Sequence, residues 1–395
     1  MADKITVEEL RDKQDSDDDY VLVDTRNQED YENWHIGGAV NVEYSHSDDE
    51  LRGDWEGLVE DLGIETDDEI VTICAKGKSA KSFAEYLEGE GYTDVKSVEG
   101  GMESWSMVYD IVPVATQSDE IDIIQLQRRS KGCLGYIVGD KATGEAAAID
   151  VTRATETFKN AAADYGYDIA YVLDTHIHAD HISGGRRFAE ELGVPYYLGE
   201  RARTRDPDYD FDGLDQNEVL EVGENVDIKA IPTPGHTTGM TSYLINDEAL
   251  TTGDTVFVES IGRTELQFAG DEAKGGAEMQ YDTLHDKILS EPDTVKILPG
   301  HFSVTDDGEF IDVTPGTPMM TTVGYLRQNN RALQMDEDEF VDYMFDNIPS
   351  KPPNYEKVIA TNSGDYEPED KAEEDELELG PNRCAATEES MVADD

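Results

Sequence analysis

Histidine and aspartate side chains are concentrated in short motifs between residues 176 and 301 of this 395-residue chain. The chain has only eight histidines, and five of them fall inside these motifs. The motif residues are His176, His178, Asp180 and His181 in one run, followed by His236, Asp254 and His301. Imidazoles and carboxylates crowded at this spacing have few uses besides holding a metal ion. The sequence therefore predicts a metal centre.

The positions of the motifs favour convergence on one site. His176 and His178 are two residues apart just after a strand-like run, and the later motifs also follow strands, where α/β folds place their chemistry. One histidine alone is more often structural, but we put chance as the origin of the whole set at roughly one in fifty. Together the motifs supply enough nitrogen and oxygen ligands for two metal ions.

The chain is strongly acidic, with 90 Asp and Glu against 31 Lys and Arg and a formal charge of -59. Such a polyanion repels nucleic acid and anionic membrane surfaces, so neither is expected as a partner. The acidic residues are spread along the whole chain. At molar salt the Debye length falls to roughly 3 Å and screens the self-repulsion of such a surface. We therefore predict a halophilic protein.

Only three cysteines are present, namely Cys74, Cys133 and Cys384, which is too few for a disulfide framework. The N-terminus opens no apolar signal region, and no apolar run approaches the roughly 18 residues that a membrane span needs. We expect a soluble protein of the reducing cytoplasm. Cys133 and Cys384 are interpreted as bystanders, although Cys133 could edge the pocket of the second domain.

The chain divides into two folded units and a tail. Short apolar strands alternate with amphipathic helices in residues 1–112, which predicts a parallel α/β sheet. A polar linker is expected at 113–120, and a second α/β pattern runs over residues 121–362. Residues 363–395 are acidic and poor in large apolar groups, so we predict a disordered, solvated tail.

A reactive thiol is predicted in the first unit. Cys74 follows a strand-like run and opens a six-residue loop that leads into a helix. Backbone N–H groups at a helix N-terminus carry partial positive charge, and Lys76 and Lys78 add to it, which favours a thiolate or a persulfide sulfur. Gly77 allows the tight bend, and Ser79 ends the loop. An inert strand-end thiol is the alternative, and the two lysines argue against it.

The first unit resembles the rhodanese family of sulfurtransferases over nearly all of residues 4–110. The matching stretches are residues 21–26, 35–41, 74–79 and 91–105. The resemblance implies that Cys74 carries sulfane sulfur as a persulfide on a loop of the sulfur-transferring type. It also implies that Asp24 and Arg26 form a structural pair that ties a strand to a loop.

The second unit is similar to the metallo-β-lactamase superfamily from about residue 121 to 362. The resemblance implies a four-layer αβ/βα sandwich that carries its metal at one edge of the facing sheets. The expected fold class is therefore α/β, with a rhodanese-like parallel domain followed by this sandwich. The superfamily contains hydrolases and oxidoreductases, so the fold alone does not settle the reaction.

In a first interpretation, the site resembles that of glyoxalase II and holds two zinc ions. The resemblance implies His176, His178 and His236 on one zinc, Asp180, His181 and His301 on the other, and Asp254 as the bridge. A metal-bound hydroxide would attack a thioester or lactone carbonyl.

In a second interpretation, His176, His236 and Asp254 hold a single ion. Two histidines and one carboxylate on one face, with open positions, suit non-haem Fe(II) that handles O2. This pattern is similar to that of the persulfide dioxygenases. The other motif residues, His178, Asp180, His181 and His301, would then orient ligands or waters, with Asp180 also a candidate catalytic group.

Three observations favour the second interpretation. The segment Gly-Arg-Thr-Glu-Leu-Gln at 262–267 resembles one typical of persulfide dioxygenases. Residues 339–355 resemble the ending of those enzymes, which is shorter than the substrate domain of glyoxalase II. A sulfane-sulfur carrier fused to a persulfide oxidase also makes chemical sense. Arg263 would orient the substrate or support the iron site, or else form a structural salt bridge.

The predicted protein is therefore a persulfide dioxygenase with one Fe(II) per chain, which converts a small thiol persulfide to sulfite and thiol. Cys74 would connect it to thiosulfate or sulfite by sulfur transfer. The alternative is a two-zinc thioester hydrolase with a rhodanese-like domain. Small molecules are the expected partners, and the sequence is compatible with a homodimer.

Overall fold

A computed structural model of the chain describes residues 2–16, 18–268, 273–311, 313–348 and 351–386. Its larger sheets have five, seven and six strands within these residues. The first sheet belongs to the N-terminal domain, and the other two face each other in the second domain. In this part of the chain no helix is long and apolar enough to cross a bilayer.

The first domain is a parallel α/β sheet with the strand order β1-β7-β6-β2-β3. Its strands are β1 (Asp3–Ile5), β2 (Val21–Asp24), β3 (Val40–Asn41), β4 (Tyr44–Ser45), β5 (Glu50–Leu51), β6 (Glu69–Ile73) and β7 (Asp94–Val98). Its helices are α1 (Val7–Gln14), α2 (Gln28–Asn33), α3 (Trp55–Leu62), α4 (Lys78–Glu90) and α5 (Gly101–Trp105). Apolar side chains spaced three and four residues apart on α4 are fully buried against the sheet, as their helical spacing predicts.

The second domain contains two sheets that we name by position. The front sheet has the order β14-β13-β12-β11-β10-β9-β8, with β8 (Tyr109–Val114), β9 (Ile121–Arg128), β10 (Cys133–Asp140), β11 (Glu145–Ile149), β12 (Asp168–Leu173), β13 (Tyr196–Gly199) and β14 (Asp212–Leu214). The back sheet has the order β15-β16-β17-β18-β20-β21, with β15 (Val219–Val222), β16 (Val226–Pro232), β17 (Thr241–Ile245), β18 (Ala249–Gly253), β20 (Lys296–Pro299) and β21 (Thr321–Thr322). Two short strands, β19 (Ile261–Gly262) and β22 (Ala385–Ala386), pair with each other.

Helices cover the outer faces of both sheets. The helices are α6 (Thr155–Asp164), α7 (Gly185–Leu192), α8 (Ala273–Thr283), α9 (Val323–Asn329), α10 (Glu337–Asp346), α11 (Tyr355–Ser363) and α12 (Lys371–Leu377), with short 3-10 helices at Glu200–Arg205 and Ala332–Gln334 and a short π-helix at Leu284–Ile288. Buried side chains such as Leu173 of the front sheet and Tyr243 of the back sheet form the central core. Phe158 and Phe188 pack α6 and α7 on the front sheet, while α8, α9 and α10 pack on the back sheet. This αβ/βα sandwich confirms the predicted fold class.

The boundary between the domains lies earlier than predicted. Strand β8 pairs antiparallel with β9, so residues 109–112 belong to the front sheet rather than to the first domain. The polar stretch at 115–120 is the connection between these two strands and not an interdomain linker. Because β8 is an edge strand, it tolerates Pro113, which cannot donate to a ladder.

The prediction of a disordered tail is wrong for residues 363–386. Helix α12 and strand β22 lie in this stretch, and Leu377 and Cys384 are buried. Glu378 is fully buried in an ion pair with Arg128. The stretch is held by a few specific contacts, which its acidic composition does not reveal. Residues 387–395 lie outside the described part of the chain.

The two domains are packed against each other through polar contacts. Arg129 of the second domain is almost fully buried, and its guanidinium contacts Asp15 of the first domain at 2.7 Å. Asp110 of β8, in the same domain as Arg129, contacts this guanidinium at 2.9 Å. The backbone N–H of His35 donates to the carbonyl of Asp306 at 3.0 Å. These bonds hold the first domain on the side of the sandwich where the loop after β20 emerges.

Candidate metal centre

The predicted ligands all follow the ends of strands. His176, His178, Asp180 and His181 follow β12 of the front sheet, whereas His236, Asp254 and His301 follow β16, β18 and β20 of the back sheet. Both sheets therefore direct their motif loops to the same edge of the sandwich. All seven side chains are buried, with at most 3% of each residue exposed.

Three of these side chains form one compact group. Asp254 Oδ2 lies 3.8 Å from His176 Nε2 and 3.6 Å from His236 Nε2. One ligand atom from each of the three lies within 4.8 Å of the others. This is the set of two histidines and one carboxylate that the second interpretation named.

The other nitrogen of each imidazole is held by a neighbour. His236 Nδ1 lies 2.6 Å from the carbonyl oxygen of Arg263, to which it donates. His176 Nδ1 lies 3.0 Å from Thr175 Oγ1, which also bonds to the Asp150 carboxylate. A donating Nδ1 leaves Nε2 with a lone pair, so both rings direct a ligand atom towards Asp254.

The electrostatics favour the protonation states that metal ligands need. Burial lowers the pKa of His176 and that of His236, so both rings are neutral. Burial works against ionisation of Asp254, but the neighbouring His301 outweighs it and holds the pKa of Asp254 below its usual range. Neutral imidazoles and an ionised carboxylate are the forms that bind a cation.

The group also contains buried polar atoms that need a partner. His176 Nε2 and Asp254 Oδ2 have no hydrogen-bond partner among the described residues. An unpaired buried polar group, and an unpaired charge above all, is costly. A metal ion between these atoms would satisfy them, so the donor set fits a metal of the kind that nitrogen and oxygen ligands bind.

His301 and Asp180 form a second cluster beside this group. His301 Nδ1 lies 2.6 Å from Asp254 Oδ1, and its Nε2 lies 2.9 Å from Asp180 Oδ2. Burial would lower the pKa of His301, but the two carboxylates raise it well above its usual value. Both nitrogens donate, so His301 bridges the carboxylates as an imidazolium. His181 Nδ1 contacts the other oxygen of Asp180 at 3.1 Å.

His178 is not a member of the compact group, although its ring centroid lies 4.1 Å from that of His176. Its Nε2 lies 3.4 Å from Asp150 Oδ1, and it forms a separate cluster with Asp150 and Asp174. The backbone carbonyls of His178 and His181 accept hydrogen bonds from Asn362 at 2.9 and 2.7 Å. Asn362 of α11 therefore fixes the loop that carries the first motif.

Both cysteines that we interpreted as bystanders lie beside the motif residues. Cys133 Sγ is 3.6 Å from Asp180 Oδ2, and a ligand atom of Cys384 lies within 4.8 Å of atoms of Asp254 and His301. Burial opposes the Cys133 thiolate, but His181 lowers the pKa of Cys133 to about 7. No sequence motif identifies Cys133 or Cys384 as a site residue. Their proximity to the site is seen only in the structure, where the backbones of Cys133 and His301 form an isolated antiparallel β-bridge.

Arg263 has a structural position. Its Nε donates to Glu265 at 2.6 Å, and its Nη1 donates to the carbonyl of Arg383 at 2.9 Å. Its backbone carbonyl holds His236, as described above. Gly262 precedes it in close contact with Asp254, since a Cβ there would lie 1.7 Å from the Asp254 carbonyl oxygen. Arg263 therefore holds His236 of the compact group in position through its backbone carbonyl.

The loop after Cys74 is shorter than predicted. Gly77 adopts a left-handed φ of 76° and caps α4, so Lys78 and Ser79 are in the first helical turn. The Cys74 carbonyl accepts from the Met102 N–H at 2.8 Å, and a Cβ on Gly101 would lie 2.0 Å from the same oxygen. Cys74 is buried at the base of this loop.

The charges around the loop differ from the prediction. Lys76 is paired with Glu103 at 2.6 Å, so its charge is partly neutralised. The pKa of Lys76 is raised, first by Glu103 and to a smaller extent by Asp375 and Glu376. Helix α12 is therefore an electrostatic neighbour of the Cys74 loop. Arg26 contacts Asp24 and donates to the Trp34 carbonyl at 2.6 Å, the strand-to-loop connection that was predicted.

Fold and site together define a metallo-β-lactamase-type protein, and the chain belongs to that superfamily. Residues 143–301 match the model of the metallo-beta-lactamase superfamily, and residues 6–107 match that of the rhodanese-like domain.

Among curated proteins, the chain is similar to persulfide dioxygenases and to glyoxalase II-type hydrolases. It is 27% identical over 230 residues to the mitochondrial persulfide dioxygenase ETHE1 of Bos taurus, which covers 58% of this chain and 82% of that one. It is 31% identical over 190 residues to the hydroxyacylglutathione hydrolase of Pelagibacter ubique, with 47% and 74% covered. A metallo-beta-lactamase structure from Staphylococcus aureus superposes with a TM-score of 0.55 at 26% identity, over 64% of this chain and 76% of that one.

Proposed function

We propose that this protein is a persulfide dioxygenase with one ferrous ion per chain, coupled to a sulfurtransferase site at Cys74. The reaction is R-S-SH + O2 + H2O giving R-SH, sulfite and two protons. Ferrous iron in this site would supply the redox chemistry that O2 needs to react with a persulfide.

One observation carries the proposal: His176, His236 and Asp254 converge, while His178 does not join them. The distances of 3.8 and 3.6 Å join Asp254 Oδ2 to the two Nε2 atoms. His178 instead lies 3.4 Å from Asp150. Two histidines and one carboxylate leave open positions and suit non-haem iron, whereas a two-zinc hydrolase needs His178 on the first ion.

The surrounding residues would orient the three ligands and hold a proton close by. His301 donates to Asp254 through Nδ1 and to Asp180 through Nε2, so it fixes the Asp254 carboxylate. Asp180 accepts hydrogen bonds from both His301 and His181, so it would position these two imidazole rings. The near-complete burial of these residues keeps bulk water from the reacting atoms.

Cys74 would connect the iron site to other sulfur compounds. As a persulfide it could transfer sulfur to sulfite and form thiosulfate, or in reverse pass thiosulfate sulfur to a thiol. Its position directly before the N-terminus of α4 supports this role, because backbone N–H groups there carry partial positive charge.

A second candidate is a two-zinc thioester hydrolase. The observation in its favour is the similarity to a hydroxyacylglutathione hydrolase, at 31% identity over 190 residues. This candidate predicts thioester cleavage without oxygen consumption.

Metal analysis of anaerobically purified protein, joined to an oxygen-electrode trace with glutathione persulfide, separates the two candidates. We expect about one iron per chain and oxygen uptake with sulfite as the product. About two zinc ions per chain, no oxygen uptake and hydrolysis of S-lactoylglutathione would replace the dioxygenase by the hydrolase.

A further inference from the structure

The C-terminal segment 371–386, which we name the strap, runs over the metal centre. It comprises α12, β22 and the residues between them. Leu377 packs on Ile182, which follows the first metal motif directly. Strand β22 pairs with β19, which precedes Arg263. The strap is thus attached to the loops of both sheets that carry the ligands.

Buried charges hold the middle of the strap. Glu378 lies 2.8 Å from Arg128 Nη1 and also contacts Arg153, and these side chains are at most 2% exposed. Lys131 Nζ donates to the carbonyls of Glu378 and Gly380 at 3.2 Å each. Glu378 is therefore in contact with three cationic residues, and all four residues are buried.

The end of the strap is held by Arg263. The Arg263 N–H donates to the Cys384 carbonyl at 2.9 Å, and Arg263 Nη1 donates to the Arg383 carbonyl at 2.9 Å. The same Arg263 holds His236 through its own carbonyl. One residue thus fixes both Cys384 and a ligand of the compact group.

These contacts place the Cys384 thiol among metal-binding side chains. Ligand atoms of Cys384, Asp180, Asp254 and His301 all lie within 4.8 Å of one another, and all four residues are buried. Asp254 is shared with the compact group, and its Oδ2 is a fully buried atom without a hydrogen-bond partner. Cys133 differs in this respect, because its cluster contains Asp180, His181 and His301 but not Asp254.

We propose that the Cys384 thiolate is an internal sulfur ligand of the metal bound at Asp254, seated there by the strap. A substrate persulfide would have to take its place. The proposal rests on the metal centre of the proposed function but not on its reaction. In such an exchange, the incoming R-S-SH would give its proton to the departing Cys384 thiolate, one metal–sulfur bond would form as the other broke, and no electron would be transferred.

Cobalt substitution tests the proposal in the full-length protein. Co(II) is added anaerobically to the metal-free wild type and to Cys384→Ser and Cys133→Ser, and bound cobalt is measured separately by elemental analysis. A thiolate on Co(II) gives an intense sulfur-to-metal band in the near-ultraviolet. We expect this band in the wild type and in Cys133→Ser, and its loss in Cys384→Ser with cobalt still bound.

Other results contradict the proposal in distinguishable ways. Bound cobalt without a sulfur band in the wild type, or a band that persists in Cys384→Ser, overturns the ligand assignment alone. A band that is lost only in Cys133→Ser assigns the ligand to Cys133 and overturns it as well. Failure of the wild type to bind cobalt overturns the metal centre, and with it this proposal.

Two further measurements do not depend on the folding of Cys384→Ser. Alkylation of Cys384 in the wild type, followed by peptide mass spectrometry, should slow when Co(II) is added, whereas alkylation of Cys74 should not change. Glu378→Gln, which loosens the strap, should weaken the sulfur band while cobalt stays bound. Unchanged Cys384 alkylation, or a band of full intensity in Glu378→Gln, contradicts a ligand that is seated by the strap.

Discussion

Glu378 and Arg128 form an ion pair of 2.8 Å in which neither side chain is exposed to solvent. The pair connects the strap to the first strand pair of the front sheet, since Arg128 ends β9. Burial opposes ionisation of Glu378, but Arg128 and Arg153 outweigh it and lower its pKa to about 2. This ion pair therefore holds the middle of the strap over the metal centre.

Removal of this carboxylate should destabilise the protein. In Glu378→Gln the buried Arg128 guanidinium loses its counter-charge, which costs about 3–5 kcal/mol for a buried pair, whereas Arg153 keeps Asp375 at 2.6 Å. Urea unfolding measures the change. Glu376→Gln, on the exposed side of the same segment, is the matched control and should change the free energy of unfolding by less than about 0.5 kcal/mol. Equal effects of the two substitutions would show that the ion pair does not hold the strap.

The same pair predicts a pH dependence. The pKa of Glu378 is about 2 in the folded protein against a usual value of 4.5, so the folded state favours the ionised form. The stabilisation, about 3 kcal/mol, is complete above pH 4.5 and is lost as the pH falls through 2. The difference in unfolding free energy between the wild type and Glu378→Gln should be constant near neutral pH and should shrink below pH 4.5. A difference that grows on acidification contradicts this assignment.

Two histidines of one motif should differ in their effect on metal content. His176→Ala removes a member of the compact group, so bound iron should fall from about one per chain to near zero. His178→Ala removes a ring that faces Asp150, and bound iron should remain near its original level. Elemental analysis after anaerobic loading measures both. Equal loss of metal in the two variants would favour the two-zinc arrangement.

The sulfurtransferase site should be separable from the iron site. Cys74→Ser should abolish transfer from thiosulfate to cyanide or thiol, because no persulfide can form, and should leave oxygen uptake with added glutathione persulfide unchanged. Lys76→Ala should reduce transfer by less than about fivefold, because Glu103 already pairs with this exposed lysine. Loss of both activities in Cys74→Ser contradicts independent sites.

The charge of the chain predicts salt dependence. A formal charge of -59 repels itself at low ionic strength, and molar salt screens this repulsion. The melting temperature should therefore fall sharply on dialysis from molar KCl into dilute buffer and recover when KCl is restored. An unchanged melting temperature would refute adaptation to high salt.

Much of the fold and of the candidate site could be predicted from the sequence. Apolar strands that end shortly before His176, His236, Asp254 and His301 indicated where the ligands emerge, and the spacing on α4 indicated the buried face of that helix. Such features depend on near neighbours along the chain, so local pattern is enough to find them. The position of Cys74 before a helix was found in the same way.

The tertiary structure alone decided which groups meet. His176 and His178 are equivalent in the motif, but one faces Asp254 and the other Asp150, a difference that is set by side-chain direction at the ångström scale. The composition of the C-terminal segment predicted disorder because composition averages over residues. The strap is ordered through contacts with residues far away in the chain, such as that of Glu378 with Arg128, 250 positions earlier. Arg263 holds Cys384 beside Asp254 and His301 through another such contact. Contacts between distant residues leave no local pattern, so only the folded chain reveals them.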